Sequence, residues 1–448
     1  MTQRFTLVML GLALAGCDTR VLDLGQDAST SGGSRGSAGQ TSTDEPLELL
    51  LDGKQLALGG NASCFRRADG VVKCWGQNDR AQLSVPTTQL CGSRPCTRQP
   101  YTVPSLRGAS KVALGYRFGC ALLGGMKVSC WGENTFGELG RSTHDDDQHP
   151  DPLEAGRDAA LDLWLGAHHA CALTEGGQVR CWGLADDGQL GLEPSQLERC
   201  QVPAELRGIA GVPSAADVAC ATAPTVVPAF EGAAQLALGD AFTCARFDDG
   251  RVACVGRGSA GQLGDGGSSD ATFEPVTAIS AGATDLSTGS HHACAIVDER
   301  VRCWGGNELG QLGVGSVAQD SCTSGDCLLA PSVLGDLPNA TALALGANFS
   351  CALLQDTTVR CWGDDANGQL GNSSFAGETC TPPLGGAHDC ARRPSEAYDL
   401  TGVIELRAGA SHACALIPGE LRCWGSSESG QASNHDDLTF PSTVYGLN

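Results

Sequence analysis

Apolar residues in this chain come in short runs separated by glycine-rich turns, and the pattern recurs about every 50 residues with insertions between units. The unit is clearest at LWLGAHHACALTEGGQVRCWGLADDGQLG, and related runs begin at Leu56, Val112, Leu236, Leu286, Leu343 and Leu406. Each unit holds a proline-led strand such as PYTV or PSVL, an LALG-like strand, two cysteine-bearing strands and a GQLG turn. No long stretch carries helical periodicity. Four short antiparallel strands make a propeller blade, and a ring of blades leaves no long sheet edge exposed. The expected fold is all-β.

Seven cysteine pairs mark the central hairpins: Cys64/Cys74, Cys120/Cys130, Cys171/Cys181, Cys244/Cys254, Cys294/Cys303, Cys351/Cys361 and Cys414/Cys423. At a spacing of ten, a turn at Gly176 sets residue 173 opposite 179 and Cys171 opposite Cys181. At a spacing of nine, a turn between Asp298 and Glu299 keeps Cys294 facing Cys303. Facing residues of a non-hydrogen-bonded antiparallel pair have α-carbons about 4.5 Å apart, within reach of a disulfide.

The first 17 residues, MTQRFTLVMLGLALAGC, have one early basic residue and an apolar run too short to span a bilayer. Leu14, Ala15, Gly16 and Cys17 resemble a bacterial lipobox, which implies cleavage before Cys17 and lipid attachment to it. Export would place the chain where disulfides persist, and argues against reduced core thiols or a thiolate metal site. Residues 18–45, rich in Ser, Thr, Gly, Asp and Gln, read as a flexible tether with a typical span of about 30 Å. Residues 46–448 hold the repeats.

Of the 23 cysteines, Cys17 and the fourteen hairpin residues leave eight. These fall into four inter-repeat loops as Cys91/Cys96, Cys200/Cys220, Cys322/Cys327 and Cys380/Cys390, the second of each pair standing four residues before a proline. That offset favours local pairing, for eleven disulfides and no free thiol. A zinc site assembled from the CGSRPC and CTSGDC loops is the alternative, and needs reduced thiolates.

The motifs HHACAL, HHACAI and NFSCALL leading into RCWG and GQLG resemble the regulator of chromosome condensation repeat family, over about residues 46–448. Repeat 1 departs with AQLS, repeat 4 with CVG for CWG and repeat 7 with GQAS. The resemblance implies a seven-bladed β-propeller, here in an exported bacterial variant with cysteine at both hairpin positions. Chromatin binding and nucleotide exchange, known for nuclear members, are not carried over. Net charge is −22, from 51 acidic and 29 basic residues, so no nucleic-acid partner is expected.

Catalytic constellations are sparse. GGSRG at 32–36 has the G-x-S-x-G spacing without a strand before it, and no H-E-x-x-H motif occurs. The doublets His168/His169 and His291/His292, with His412, recur at one point of the repeat and read as structural within each blade. Six tryptophans follow a hairpin cysteine and read as blade packing; Trp164 stands apart. The loop RSTHDDDQHPD gathers His144, Asp145, Asp146, Asp147, His149 and Asp151, a candidate divalent-cation site without EF-hand spacing. Otherwise it is a solvated turn.

The chain is not expected to be an enzyme or to use a cofactor. Four long, disulfide-pinned loops leave their repeats at the same point, so in a ring they must emerge on one face. The expectation is an envelope lipoprotein, at the outer membrane or cell surface, that binds an unidentified protein or envelope ligand through that face and touches the membrane through its lipid alone. A structural or assembly role in the envelope and a glycan-active enzyme are the alternatives. The tail Phe440–Leu447 repeats the PYTVPSL pattern and is expected to pair into the first blade and latch the ring, with Pro46–Leu50 as its competitor.

Overall fold

The computed structural model describes residues 55–447 except 88, 209–211, 316–319, 324, 336, 338, 373–377, 382–385 and 433–437. The lipobox with Cys17, the tether and Pro46–Leu50 lie outside the described residues. In the first blade, Gln55–Leu58, Ala62–Arg66, Val72–Gln77 and Arg94–Thr102 pair antiparallel in chain order from the centre outward. Six further groups of strands repeat this order, giving seven blades. Blades 2 and 3 form one continuous sheet because a 21-residue strand, Asp145–Leu165, serves both. Its first part, through Ala159, is the outer strand of blade 2, and from Ala160 it is the inner strand of blade 3. The seven inner strands surround a central channel of about 500 Å³.

The hairpin registers follow from turn length. Leu173 faces Val179 and Cys171 faces Cys181. In the shorter hairpin Val297 faces Arg300, so Asp298 and Glu299 form a two-residue turn, with φ of 52° and 62° as a type I′ turn requires. The facing cysteines are bridged in all seven hairpins: Cys64–Cys74, Cys120–Cys130, Cys171–Cys181, Cys244–Cys254, Cys294–Cys303, Cys351–Cys361 and Cys414–Cys423. Their α-carbons are closer than the roughly 4.5 Å expected of an unbridged pair, for instance 4.1 Å at Cys120–Cys130 and 4.0 Å at Cys244–Cys254, because the bridge draws the strands together. Each bridge closes a loop of about ten residues, worth about 2–3 kcal/mol through the unfolded chain.

The proline-led strand does not open a unit; it finishes the blade before it. Tyr101 faces Cys74, Leu153 faces Cys130, Val276 faces Cys254, Ser395 faces Cys361 and Ser442 faces Cys423. A strand following the second cysteine strand finds an unpaired ladder on that strand's outer side, the nearest edge available to it. The spacing of the cysteines did not show that this outer ladder breaks register directly after Cys130 and after Cys254, as it does in the other blades. The glycine two residues on, Gly132 or Gly256, has a φ of 105° or 108°, and this backbone turn accommodates the irregularity. The last strand, Leu438–Thr443, therefore completes blade 7, and the expected pairing into blade 1 is replaced by contacts of the residues after it. Lys73 Nζ donates to the Gly446 carbonyl at 2.7 Å, and Val444 and Leu447 pack with Leu56, Phe65 and Trp75 of blade 1.

Neighbouring blades meet through a repeated set of contacts. At the inner end, one backbone N–H per blade donates to the next: Gly60 to Gly115, Tyr116 to Ala167, Ala167 to Gly239, Asp240 to Ser290, Ser290 to Ala347, Ala347 to Ala410 and Ala410 back to Gly60. This belt closes the ring without exchanging a strand. Each CWG tryptophan is wholly buried and donates its indole N–H to the preceding blade's turn: Trp75 to Gln431, Trp131 to Gln82, Trp182 to Glu138, Trp304 to Gln262, Trp362 to Gln311 and Trp424 to Gln369, at 2.7–3.0 Å. Val255 takes the tryptophan's place in blade 4. The turn glycine is pressed onto the next blade; at Gly430, with φ of 76°, an added Cβ would stand 2.8 Å from the Arg98 backbone.

The residue two before each first cysteine is matched to the residue one before it in the next blade. His169 faces Thr243, His292 faces Ser350 and His412 faces Ser63, with Nε2 to oxygen distances of 2.8–2.9 Å. Phe118 and Phe349 stand opposite Ala170 and Ala413 in the same scheme, so a bulky apolar ring meets a methyl and an imidazole meets a hydroxyl. The histidines thus work between blades rather than within one. Ser63 and Ser350 donate their single protons to the Gln431 and Gln311 carbonyls, which obliges the imidazoles to donate from Nε2.

These contacts predict a graded response. Trp362→Phe should cost about 1–2 kcal/mol by removing the donor to Gln311, and Trp362→Ala about 3–5 kcal/mol by opening a cavity as well. Chemical denaturation would measure both, and equal costs would mean that the indole hydrogen bond contributes nothing.

Candidate functional site

The alternation of strand directions assigns each loop to a face. The inner strand ends, the first cysteine strand begins and the CWG strand ends on one face, so that face carries the inner turns, the GQLG turns and the long insertions. The opposite face carries the cysteine hairpin tips and the short links to the next blade.

The insertions on this face are hairpins that prolong the outer strands of blades 1, 3, 5 and 6. Gln89–Cys91 pairs with Arg94–Thr102, Glu198–Gln201 with Asp217–Val226, Asp320–Cys322 with Gly325–Val333 and Thr379–Cys380 with His388–Glu396. Disulfides Cys91–Cys96, Cys200–Cys220, Cys322–Cys327 and Cys380–Cys390 pin them at Cα separations of 5.7–5.9 Å. The CGSRPC and CTSGDC cysteines are each bridged within their own hairpin and do not come together. Leu90 is exposed at the tip of the first.

The hairpin cysteines contribute to the blades rather than to this face. Cys130 and Cys254, in two of the three blades without a pinned insertion, are wholly buried. Cys130 packs with Trp182 and Leu139 in one core, and Cys254 packs with Trp304 and Leu263 in another. They are structural residues and offer a ligand nothing.

Beneath the loop-bearing face, between blades 2 and 3, lies a buried polar group: Glu133, Glu138 and His168, which are 2%, 0% and 4% exposed. Glu133 follows the CWG motif, Glu138 sits in the GELG turn and His168 in the inner turn of blade 3. His168 Nδ1 lies 3.4 Å from Glu138 Oε1, and its ring is stacked on Tyr116 and met edge-on by Phe136. Glu138 Oε2 accepts from the Phe136 N–H at 2.8 Å. Among the described residues, Glu133 Oε1, Glu138 Oε1 and His168 Nδ1 have no hydrogen-bond partner. Burial and the neighbouring Glu138 hold the Glu133 carboxyl above its ordinary range, against the pull of His168, Arg117 and Arg80. Tyr116 is pushed up as well, by the Asp240 charge and by burial.

The signal for this group is one letter in the repeat. Six turns carry glutamine at the same point, Gln82, Gln189, Gln262, Gln311, Gln369 and Gln431, whereas the second carries Glu138. In the six, the amide oxygen accepts from the backbone N–H two residues earlier, as Glu138 Oε2 does. Glu138 therefore keeps the acceptor and replaces a donor NH₂ by an oxygen.

The acidic loop is arranged differently. Asp145 Oδ1 pairs with His149 at 2.7 Å and Oδ2 accepts from Asn134; Asp146 pairs with Arg80 at 2.9 Å. Asp147 and Asp151 are exposed and His144 is half-buried. Among the described residues, the one set of three or more His, Cys, Asp or Glu ligand atoms lying within 4.8 Å of one another is Glu133, Glu138 and His168. Trp164 faces the central channel, where Lys111 lies 5.1 Å above its ring.

A closed ring of four-stranded blades, each built from consecutive strands, defines a β-propeller. The chain is similar to the regulator of chromosome condensation (RCC1) repeat propellers: the profile of that repeat matches residues 54–82, 165–189 and 340–369. It is 28% identical over 377 residues to human E3 ubiquitin-protein ligase HERC2, a match covering 81% of this chain and 7% of the ligase. It is 26% identical to the Ultraviolet-B receptor UVR8 of Arabidopsis thaliana, over 90% of this chain and 83% of the receptor. Yeast RCC1 (Prp20), solved bound to Kap60, superposes with a TM-score of 0.67 at 20% identity, over 94% of this chain and 91% of its own.

Proposed function

We propose that this propeller is a protein-binding module of the bacterial cell envelope, held by a lipid on Cys17 and a tether at 18–45, and that it engages its partner through the face bearing the four pinned hairpins. The observation that carries this reading is their common placement. Four disulfide-bridged hairpins rise on the same face as the belt of inner turns, and a binding surface ordered in advance loses less conformational entropy on association. Protein binding also has a precedent on this architecture, in yeast RCC1 bound to Kap60. The net charge of −22 favours a partner with a basic or neutral surface.

The test is affinity capture from the native envelope. It compares the intact propeller with a version whose loops within 84–100, 192–224, 314–331 and 372–394 are shortened, keeping the stretches that pair with the CWG strands. A specific protein captured by the first and lost with the hairpins is the expected result. If both forms capture the same material, the loop face is not the binding surface, and a structural role in the envelope takes its place. Labelling with radioactive palmitate, with Cys17→Ala as the control, tests the anchor separately.

A further inference from the structure

We propose that Glu133, Glu138 and His168 bind one divalent transition-metal ion, Zn²⁺ by preference, between the second and third blades. The three unpartnered atoms are Glu133 Oε1, Glu138 Oε1 and His168 Nδ1, and all three side chains are more than nine-tenths buried. They lie within 4.8 Å of one another. Ligands about 2.1 Å from a tetrahedral ion stand about 3.4 Å apart, and His168 Nδ1 and Glu138 Oε1 are separated by 3.4 Å.

The donor set selects the ion. One imidazole nitrogen with two carboxylate oxygens suits Zn²⁺ and its first-row neighbours, whereas Ca²⁺ asks for roughly six to eight oxygens and finds two carboxylates here. The supporting shell is already formed. Phe136 N–H holds Glu138 by its other oxygen, and Tyr116 and Phe136 fix the plane of the imidazole. Arg80 and Arg117 approach Glu133 Oε1 to 3.5 and 3.6 Å, beyond hydrogen-bond geometry, so they offset carboxylate charge without taking the oxygen's place as a donor. Arg80 is in turn paired with Asp146, which reduces its repulsion of an ion.

The chain also supplies its own controls. Glu138→Gln restores the residue of the other six turns, and His168→Asn installs the residue that blade 6 carries there as Asn348, so both should fold. The full chain in detergent, stripped with EDTA and dialysed, would be titrated with ZnCl₂ by calorimetry. The expected result is one Zn²⁺ per chain with a Kd at or below the micromolar range, a raised melting temperature with Zn²⁺, and a loss of affinity of about 100-fold in either variant. Asp145→Asn with His149→Gln, which disarms the acidic surface loop, should leave binding unchanged. No saturable binding by the unmodified chain, equal binding by Glu138→Gln and His168→Asn, or binding lost only in the surface-loop variant would each overturn the proposal. Should Glu138→Gln fail to fold, His168→Asn alone decides.

Discussion

Truncation before Phe440 should lower the melting temperature by about 4–6 °C, whereas shortening the exposed turn at 266–268 should shift it by no more than a degree or two. The truncation removes most of the outer strand of blade 7, including Ser442 and Thr443, which face Cys423 and Arg422. It also removes Val444, 6% exposed between blades 7 and 1, and the Gly446 carbonyl that holds Lys73. Burial of one valine and several ladder hydrogen bonds together contribute about 3–5 kcal/mol. The CWG strand of blade 7 would be left as an open edge, so truncated protein should also self-associate. Differential scanning calorimetry checks the first effect and light scattering the second. A melting temperature unchanged by truncation would mean that the belt and the tryptophan contacts alone hold the ring closed.

Acid should destabilise the ring through three histidines. His169, His292 and His412 are wholly buried, and burial lowers each pKa from 6.5 to about 3. A group whose folded pKa is depressed stays neutral in the native state while the unfolded chain takes up its proton below about pH 6.5. Stability is therefore full above that pH and falls steadily towards pH 3. By pH 4.5 each histidine should have cost up to about 2.5 kcal/mol. Among the described residues, Nδ1, the nitrogen that must take the proton, has no hydrogen-bond partner in any of the three. Asp365 works in the opposite direction, since burial pushes its carboxyl up to about 6 and its protonation offsets part of the loss. The discriminating measurement is thus a difference. His292→Phe with Ser350→Ala copies the Phe349 and Ala413 pair of the next interface. The double variant should lose about one third of the histidine-linked fall between pH 6.5 and 4.5 in urea denaturation. An identical pH profile would show that these rings do not control acid stability.

Much of the blade was legible because its rules are local. A ten-residue spacing around a glycine turn sets Cys171 opposite Cys181, and a nine-residue spacing with a two-residue turn does the same for Cys294 and Cys303. The place of the proline-led strand is not legible for a related reason: it completes the preceding blade. Its apolar pattern says that it is a strand, but the pattern is the same whichever blade edge it joins. In the acidic loop, six suggestive side chains stand close in sequence, and the fold pairs two of them, Asp145 with His149 and Asn134 and Asp146 with Arg80. GELG among six glutamine turns marks the buried Glu133, Glu138 and His168 group, but the meaning of that change depends on what lies across the blade boundary.

By itself, the sequence determined the all-β class, the seven-fold repeat, the hairpin registers and the grouping of the cysteines, since each depends on side-chain alternation and turn length over a dozen residues or fewer. Only the tertiary structure decided how blade 7 meets blade 1, why histidine on one blade accompanies a hydroxyl on the next, and which acidic residues converge. Those contacts join residues as far apart as Ser63 and His412, whose 2.8 Å separation exists only once the ring has closed. A local pattern specifies what a strand buries, and ring closure specifies against what.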